Sequence, residues 1–173
     1  MSEVRRLRNL PISYFLTTVA VVVFSLGAAY LEYNYILFDS VPYREAELPA
    51  FGIFYNYQFL LFFPILVWLA FQPFIQQIML KVRSSEDIRR TLALGLANAF
   101  LGIMLEDAGW FFFRLVAPVA SDPLAYQWIR PSDYTSSAIG FASILGAVIP
   151  LWYFVLLIPV AAIFAALVIS PSM

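Results

Sequence analysis

The sequence predicts an all-α integral-membrane protein, a four-helix bundle with both termini in the cytoplasm, built as one transmembrane domain over residues 1–173. Three observations predict it. Of 173 residues, 62% are hydrophobic and 12% charged, with a mean hydropathy of +0.83, whereas soluble domains carry about 25% charged residues. Too little polar surface remains to face water all round, so lipid must solvate most of the exterior. Four long apolar runs follow one another with short polar segments between them. Lysine and arginine crowd every second segment, as cytoplasmic loops require.

The first span is expected at about 12–38. Arg5, Arg6 and Arg8 precede Pro11, which suits a first helical turn. The apolar run is too long for a signal-peptide core, and no small-residue cleavage pattern interrupts it early. Its far end gathers Tyr30, Glu32, Tyr33, Asn34 and Tyr35, a composition that fits an interfacial aromatic belt. A loop over 39–49 follows, carrying Asp39, Glu45 and Glu47 against Arg44 alone. The second span, about 51–80, is long enough to cross with tilt. Pro64 and Pro73 lie inside it and predict a kink near each. Gln58 lies one or two turns in, and Gln72, Gln76 and Gln77 mark the opposite end.

The second loop is basic, with Lys81, Arg83, Arg89 and Arg90. Ser84 followed by Asp87 has the form of a capping box, so the third span starts near there, covers about 88–117 and stops at Pro118. A polar, aromatic loop to Ser137 holds Asp122, Tyr126, Trp128, Arg130, Asp133 and Tyr134. The fourth span is expected at about 138–169, with Pro150 and Pro159 inside it. Seven of the ten basic residues (Arg5, Arg6, Arg8, Lys81, Arg83, Arg89, Arg90) lie before the first span or in the second loop, which places the termini inside.

Cysteine and histidine are both absent. Their absence removes disulfides, thiolate nucleophiles, iron–sulfur clusters, ordinary zinc sites, histidine-ligated haem, and the Ser-His-Asp and Cys-His catalytic sets. Carboxylates, arginine, tyrosine, tryptophan and amides remain. No cofactor is implied, and a net charge of -1 without a basic patch does not point to nucleic acid.

Chemistry concentrates in the third span, where Glu106 and Asp107 sit side by side and Arg114 follows two turns later. A charge at membrane depth costs at least about 2.5–3.5 kcal/mol, so such residues face protein, pair, or handle an ion. With Asp107 at zero on a helical wheel, Arg114 falls at about -20°, Trp110 at about -60° and Glu106 at about -100°. Gly95, Gly102 and Gly109, spaced by seven, fall beside them and predict a close helix-packing seam. Leu94, Leu101, Met104, Leu105, Ala108, Phe111, Phe112 and Leu115 occupy the other half and are expected to face lipid. Depth pairs Arg114 with Glu32 as the first expected ion pair. Gln58 and the Trp152–Tyr153 pair are expected hydrogen-bond donors to Glu106 and Asp107. The expected polar cluster is therefore Glu32, Gln58, Glu106, Asp107, Trp110 and Arg114.

The block Glu106-Asp107-x-x-Trp110-Phe111, with Trp128-Ile129-x-Pro131 and Ile149-Pro150-x-Trp152-Tyr153 downstream, resembles a group of small prokaryotic, largely archaeal, membrane proteins. These carry Glu-Asp-x-x-Trp-Phe in a third span. In that pattern an Asn-Pro often follows the motif and histidines occupy the next loop. Here Phe113-Arg114 stands in place of the former and histidine is missing, so a histidine metal site is not implied. The resemblance covers about the second half of the chain and implies a four-span membrane protein of the cell membrane.

Three functions suit these residues. A non-catalytic accessory or structural subunit of a larger membrane complex fits best, because the chain has minimal loops, many aromatics and no nucleophile beside a base. Its partners are then lipids and other integral-membrane subunits, with a homo-oligomer as the alternative assembly. A second reading is an oligomeric proton- or cation-coupled transporter or channel using the intramembrane carboxylates. An intramembrane enzyme on a lipid or small apolar substrate ranks last, since adjacent helix residues project about 100° apart and cannot flank a substrate symmetrically.

Overall fold

The computed structural model describes residues 2–36, 49–50, 54–55, 58–79, 85–137 and 139–169, with side chains over 13–34, 58, 60–79, 87–133, 135–137 and 139–167. The acidic first loop, Lys81, Arg83, Ser84 and Ala138 lie outside the described residues, so the loop charges, the Ser84 cap and the start of the fourth span are not seen.

The chain is mostly helical. Helix α1 (Ser2–Leu31) passes directly into a wider π-helical segment, Glu32–Ile36. A short ladder of β1 (Pro49–Ala50) with β2 (Phe54–Tyr55) precedes a second π-helical segment, Gln58–Phe62, which runs into α2 (Phe63–Ala70). Helix α3 covers Gln72–Met79 and α4 Ser85–Val116. After a folded loop come the single turn α5 (Tyr134–Ser137), the hairpin β3 (Phe141–Ile144) with β4 (Ala147–Pro150), and α6 (Leu151–Ile169).

Among the described residues two helical stretches, Ser13–Asn34 and Asp87–Val116, are long and apolar enough to cross a membrane. A third counts if the pair Leu60–Ala70 and Gln72–Met79 forms one span bent by 58°. The apolar helix Leu151–Leu167 is shorter.

Two expected features differ. Pro64 does not break the second segment; it lies where the π-helical segment passes into α2, and Leu60–Ala70 runs on as one helix. Only Pro73 falls at a break, because its ring cannot donate to, and crowds, the carbonyl of Leu69. The predicted fourth span is a helix only from Leu151. Ahead of it, Leu145 (φ 52°) and Gly146 (φ 84°) both adopt positive φ at the two central positions of a tight hairpin turn, the geometry that matches strand twist. A continuous apolar run with β-branched residues reads equally as buried helix or strand, and here the Leu-Gly turn decides for the hairpin.

Helix α4 is the hub, packed by α1, α2, α3 and α6. Its glycines lie at these crossings. A Cβ on Gly95 would meet the Phe71 ring, one on Gly102 would meet Leu66, and one on Gly109 would meet Ala29. Contacts climb together on α1 and α4 (Thr18 with Asn98, Ala29 with Gly109), so these helices run parallel. The α2–α3 pair runs the other way, with Leu66 against Gly102 and Gln77 against Thr91. One buried cluster joins Val21, Phe62, Leu66 and Ala70; another joins Phe111, Ile129 and Tyr153. The second corrects the lipid-facing half of the wheel: Met104, Ala108 and Phe111 are covered by Ile149, Trp152 and Tyr153, while Phe112 and Leu115 stay exposed. An apolar helix face is equally compatible with lipid and with another apolar helix, and α6 supplies the latter.

Candidate functional site

Glu106 and Asp107 point about 100° apart from α4, and each enters its own set of bonds. Glu106 is buried between α1 and the segment leading into α2. Gln58 Nε2 donates to its Oε1 at 3.3 Å, and the Glu32 carboxyl lies beside it. Both partners are themselves buried. Each stands as the first residue of a π-helical segment, the extra residue of which re-aims side chains and recurs at functional sites.

Asp107 faces α5 and α6. Its Oδ2 accepts from the Tyr153 hydroxyl at 2.5 Å and from Thr135 Oγ1 at 2.8 Å, and Trp152 Nε1 donates to Thr135 Oγ1 at 3.0 Å. Among the described residues neither Glu32, Glu106 nor Asp107 meets a lysine or arginine, and no three carboxylates gather closely enough to hold a metal ion.

The expected Glu32–Arg114 ion pair is not formed. Arg114 is 1% exposed and its guanidinium turns to the loop after α4. Nε donates to the Gln127 carbonyl at 2.9 Å, while Nη2 donates to the Trp128 carbonyl at 2.7 Å and to Asp133 Oδ2 at 2.9 Å. The ring of Phe111 lies 4.7 Å and that of Trp110 5.4 Å from the guanidinium carbon, a stacked placement that favours arginine. Asp133 also takes Arg130 through Nη2 at 2.9 Å and through its backbone N–H. Burial works against the Asp133 charge, but the Arg130 N–H and the two guanidiniums outweigh it and hold the carboxyl below the usual carboxylate range.

Trp110 stacks edge-on against Tyr33 at 5.2 Å. The Tyr33 hydroxyl donates to Asp122 Oδ2 at 2.9 Å and accepts from the Val119 N–H at 3.1 Å, tying α1 to the loop after α4. So the structure divides the expected cluster. Glu32, Gln58 and Glu106 meet; Asp107 faces the other way; Trp110 and Arg114 belong to a loop clamp with Asp133. Thr135, Tyr33 and Asp122 complete these sets, and their only sequence signal was polarity at the ends of apolar runs.

No family model matches the chain. No curated protein matches it either, and no solved structure matches its fold. Function is therefore argued from its own side chains.

Proposed function

We propose that this chain is a multi-pass protein of the cell membrane, with four spans and both termini in the cytoplasm, that serves as a non-catalytic structural subunit of a larger integral-membrane complex. One observation carries the reading: the buried carboxyls of α4 and of the loop after it each end on another segment of the same chain. Glu106 joins α4 to α1 and to the entry of α2; Asp107 joins it to α5 and α6; Asp122 and Asp133 join the outer loop to α1 and α4. These are cross-braces, each satisfied at both ends, as polar groups in an apolar interior must be.

The same geometry supports the spans. Helices α1 and α4 run parallel with α2–α3 antiparallel between them, and the 17 residues of Leu151–Leu167 reach about 25 Å, near the lower limit for crossing. Outward, α2 presents Ile65, Val67 and Trp68, and α6 presents Val155, Leu157 and Ile158. These faces suit lipid and the helices of neighbouring subunits alike.

The test is extraction of the tagged chain in mild detergent, followed by native mass measurement and identification of every co-migrating polypeptide. A fixed stoichiometry with other membrane proteins is the expected result. Migration alone or as a homo-oligomer overturns the subunit reading.

A further inference from the structure

An open groove of about 640 Å³ lies where the last turn of α4, the loop after it and the β3–β4 hairpin meet, a size that suits a ligand cleft. Its apolar walls are Leu115 of α4, Trp128 and Ile129 of the loop, and Ala147 and Val148 of β4. The Trp128 indole N–H donates to the Val148 carbonyl at 3.0 Å, which fastens the loop to the strand and fixes the two walls relative to each other. Leu115 and Ala147 remain exposed, and at the hairpin tip beside them Leu145 is wholly so. Apolar surface gathered in one concave place marks a binding site more often than scattered leucines do.

Arg130 is the one charged residue among those that line the groove. Its Nε and Nη2 donate to Asp133 Oδ1 at 3.2 and 2.9 Å, which uses two of the five N–H donors of a guanidinium. Its side chain is 38% exposed, so the remaining donors can reach a ligand. Asp133 also neutralises Arg114, buried behind it. Two guanidiniums therefore share one carboxylate, and this cluster keeps a surplus positive charge at the groove. Asp122, the other carboxylate of the loop, does not line the groove; it is turned to Tyr33 on α1. An anion that comes to Arg130 thus meets a net attraction, and arginine is the side chain best shaped to grip a phosphate.

We propose that this groove binds one phospholipid of net negative charge, with the phosphate on Arg130 and an acyl chain against Leu115, Trp128 and Ala147. Helix length supplies the depth. The 30 residues of Asp87–Val116 reach about 45 Å, the thickness of a bilayer with its headgroups included. An upright α4 then has Arg89 and Arg90 in one headgroup layer and Arg114 and Leu115 in the other, so the groove opens where a lipid phosphate lies and its apolar walls meet the chains below. A zwitterionic lipid brings its own ammonium and leaves the surplus charge uncompensated, whereas an anionic one cancels it. The inference rests on the chain lying in a membrane and is independent of the subunit reading.

Native mass measurement of the full chain released from nanodiscs of phosphatidylglycerol and phosphatidylcholine in equal parts tests it. The parent should retain phosphatidylglycerol about tenfold over phosphatidylcholine, the effect of one charge-assisted hydrogen bond. That preference should vanish in Arg130→Gln, in which Asp133 still has Arg114. It should vanish as well in Ala147→Trp, which fills the groove from an exposed strand position, leaves Arg130 in place, and decides the matter if Arg130→Gln fails to fold. Arg89→Gln removes the same charge at the other end of α4 and should retain the lipid as the parent does. Equal retention of the two lipids by the parent overturns the proposal, and so does unchanged retention in Ala147→Trp, which would leave a headgroup held by surface charge alone. Equal loss in Arg89→Gln overturns it too, as general attraction to basic residues. Failure of the parent to enter the nanodisc would overturn the membrane reading along with the site, whereas entry without retention overturns the site alone.

Discussion

Arg114 organises the loop after α4 through the shape of its head group. A planar fork satisfies two carbonyls and a carboxylate at once while stacking on two aromatic rings, which a lysine ammonium cannot do. Truncation to Arg114→Ala leaves two loop carbonyls facing a buried cavity and Asp133 with Arg130 alone, a loss below the roughly 3–5 kcal/mol of a fully stranded buried charge. A large fall in detergent melting temperature is expected, with Arg114→Lys recovering only part of it; a change of a degree or two would show the clamp to be ornamental. Asp133 adds a pH signature. Its folded-state pKa is lowered, so its stabilisation is present above the unfolded value of about 3.9 and is lost as pH falls through the lower, folded value. The melting difference between the parent and Asp133→Asn should therefore be full at neutral pH and close below about pH 4. Sequence showed that Arg114 needs a carboxylate but pointed to Glu32, at the same depth. The true partner arrives on a loop turned back by Tyr126, at φ 64°, with its N–H on the Arg114 carbonyl, and helical periodicity carries no trace of that path.

At the scale of elements, α4 draws its neighbours close because glycine lets it. A Cβ on Gly102 would stand 2.4 Å from Leu66 Cδ1 and 3.0 Å from Ser25 Oγ, whereas one on Gly27 would meet nothing within 4 Å. Overpacking typically costs about 1–3 kcal/mol, so Gly102→Val should lower the melting temperature clearly. Gly27→Ala should leave it unchanged or raise it, alanine being the better helix former. Equal effects at the two sites would argue against the crossing. The 58° bend between α2 and α3 belongs to Pro73. With spin labels at Leu61 and Met79 in this cysteine-free chain, Pro73→Ala should lengthen the label distance by about 3 Å as the helix straightens. The seven-residue spacing of Gly95, Gly102 and Gly109 was legible in sequence, and so was the stop before Pro118. The matching spacing of Thr18, Ser25 and Glu32 was equally present but hidden, because threonine and serine in a helix can bond their own backbone and do not announce a partner. The hairpin over 141–150 was not legible, since an apolar run of its length fits strand and helix equally.

For the whole molecule, composition predicted apolar helices of spanning length, and two are present among the described residues, whereas the relative direction of the segments needed side-chain contacts. Parallel α1 and α4 with α2–α3 antiparallel between them fit the proposed four-span arrangement, in which α6 is to return the chain to its starting side. On the proposed arrangement Glu106 and Asp107 lie at membrane depth. Cysteine accessibility reads it directly, because the chain has no cysteine of its own. Single cysteines at Ser2, Ser85, Ser121 and Ser172, probed in intact cells with a membrane-impermeant thiol reagent, should give labelling from outside at position 121 only, with the other three reached after the membrane is opened. Labelling of position 172 from outside would mean that α6 does not cross, and the four-span arrangement would have to be given up.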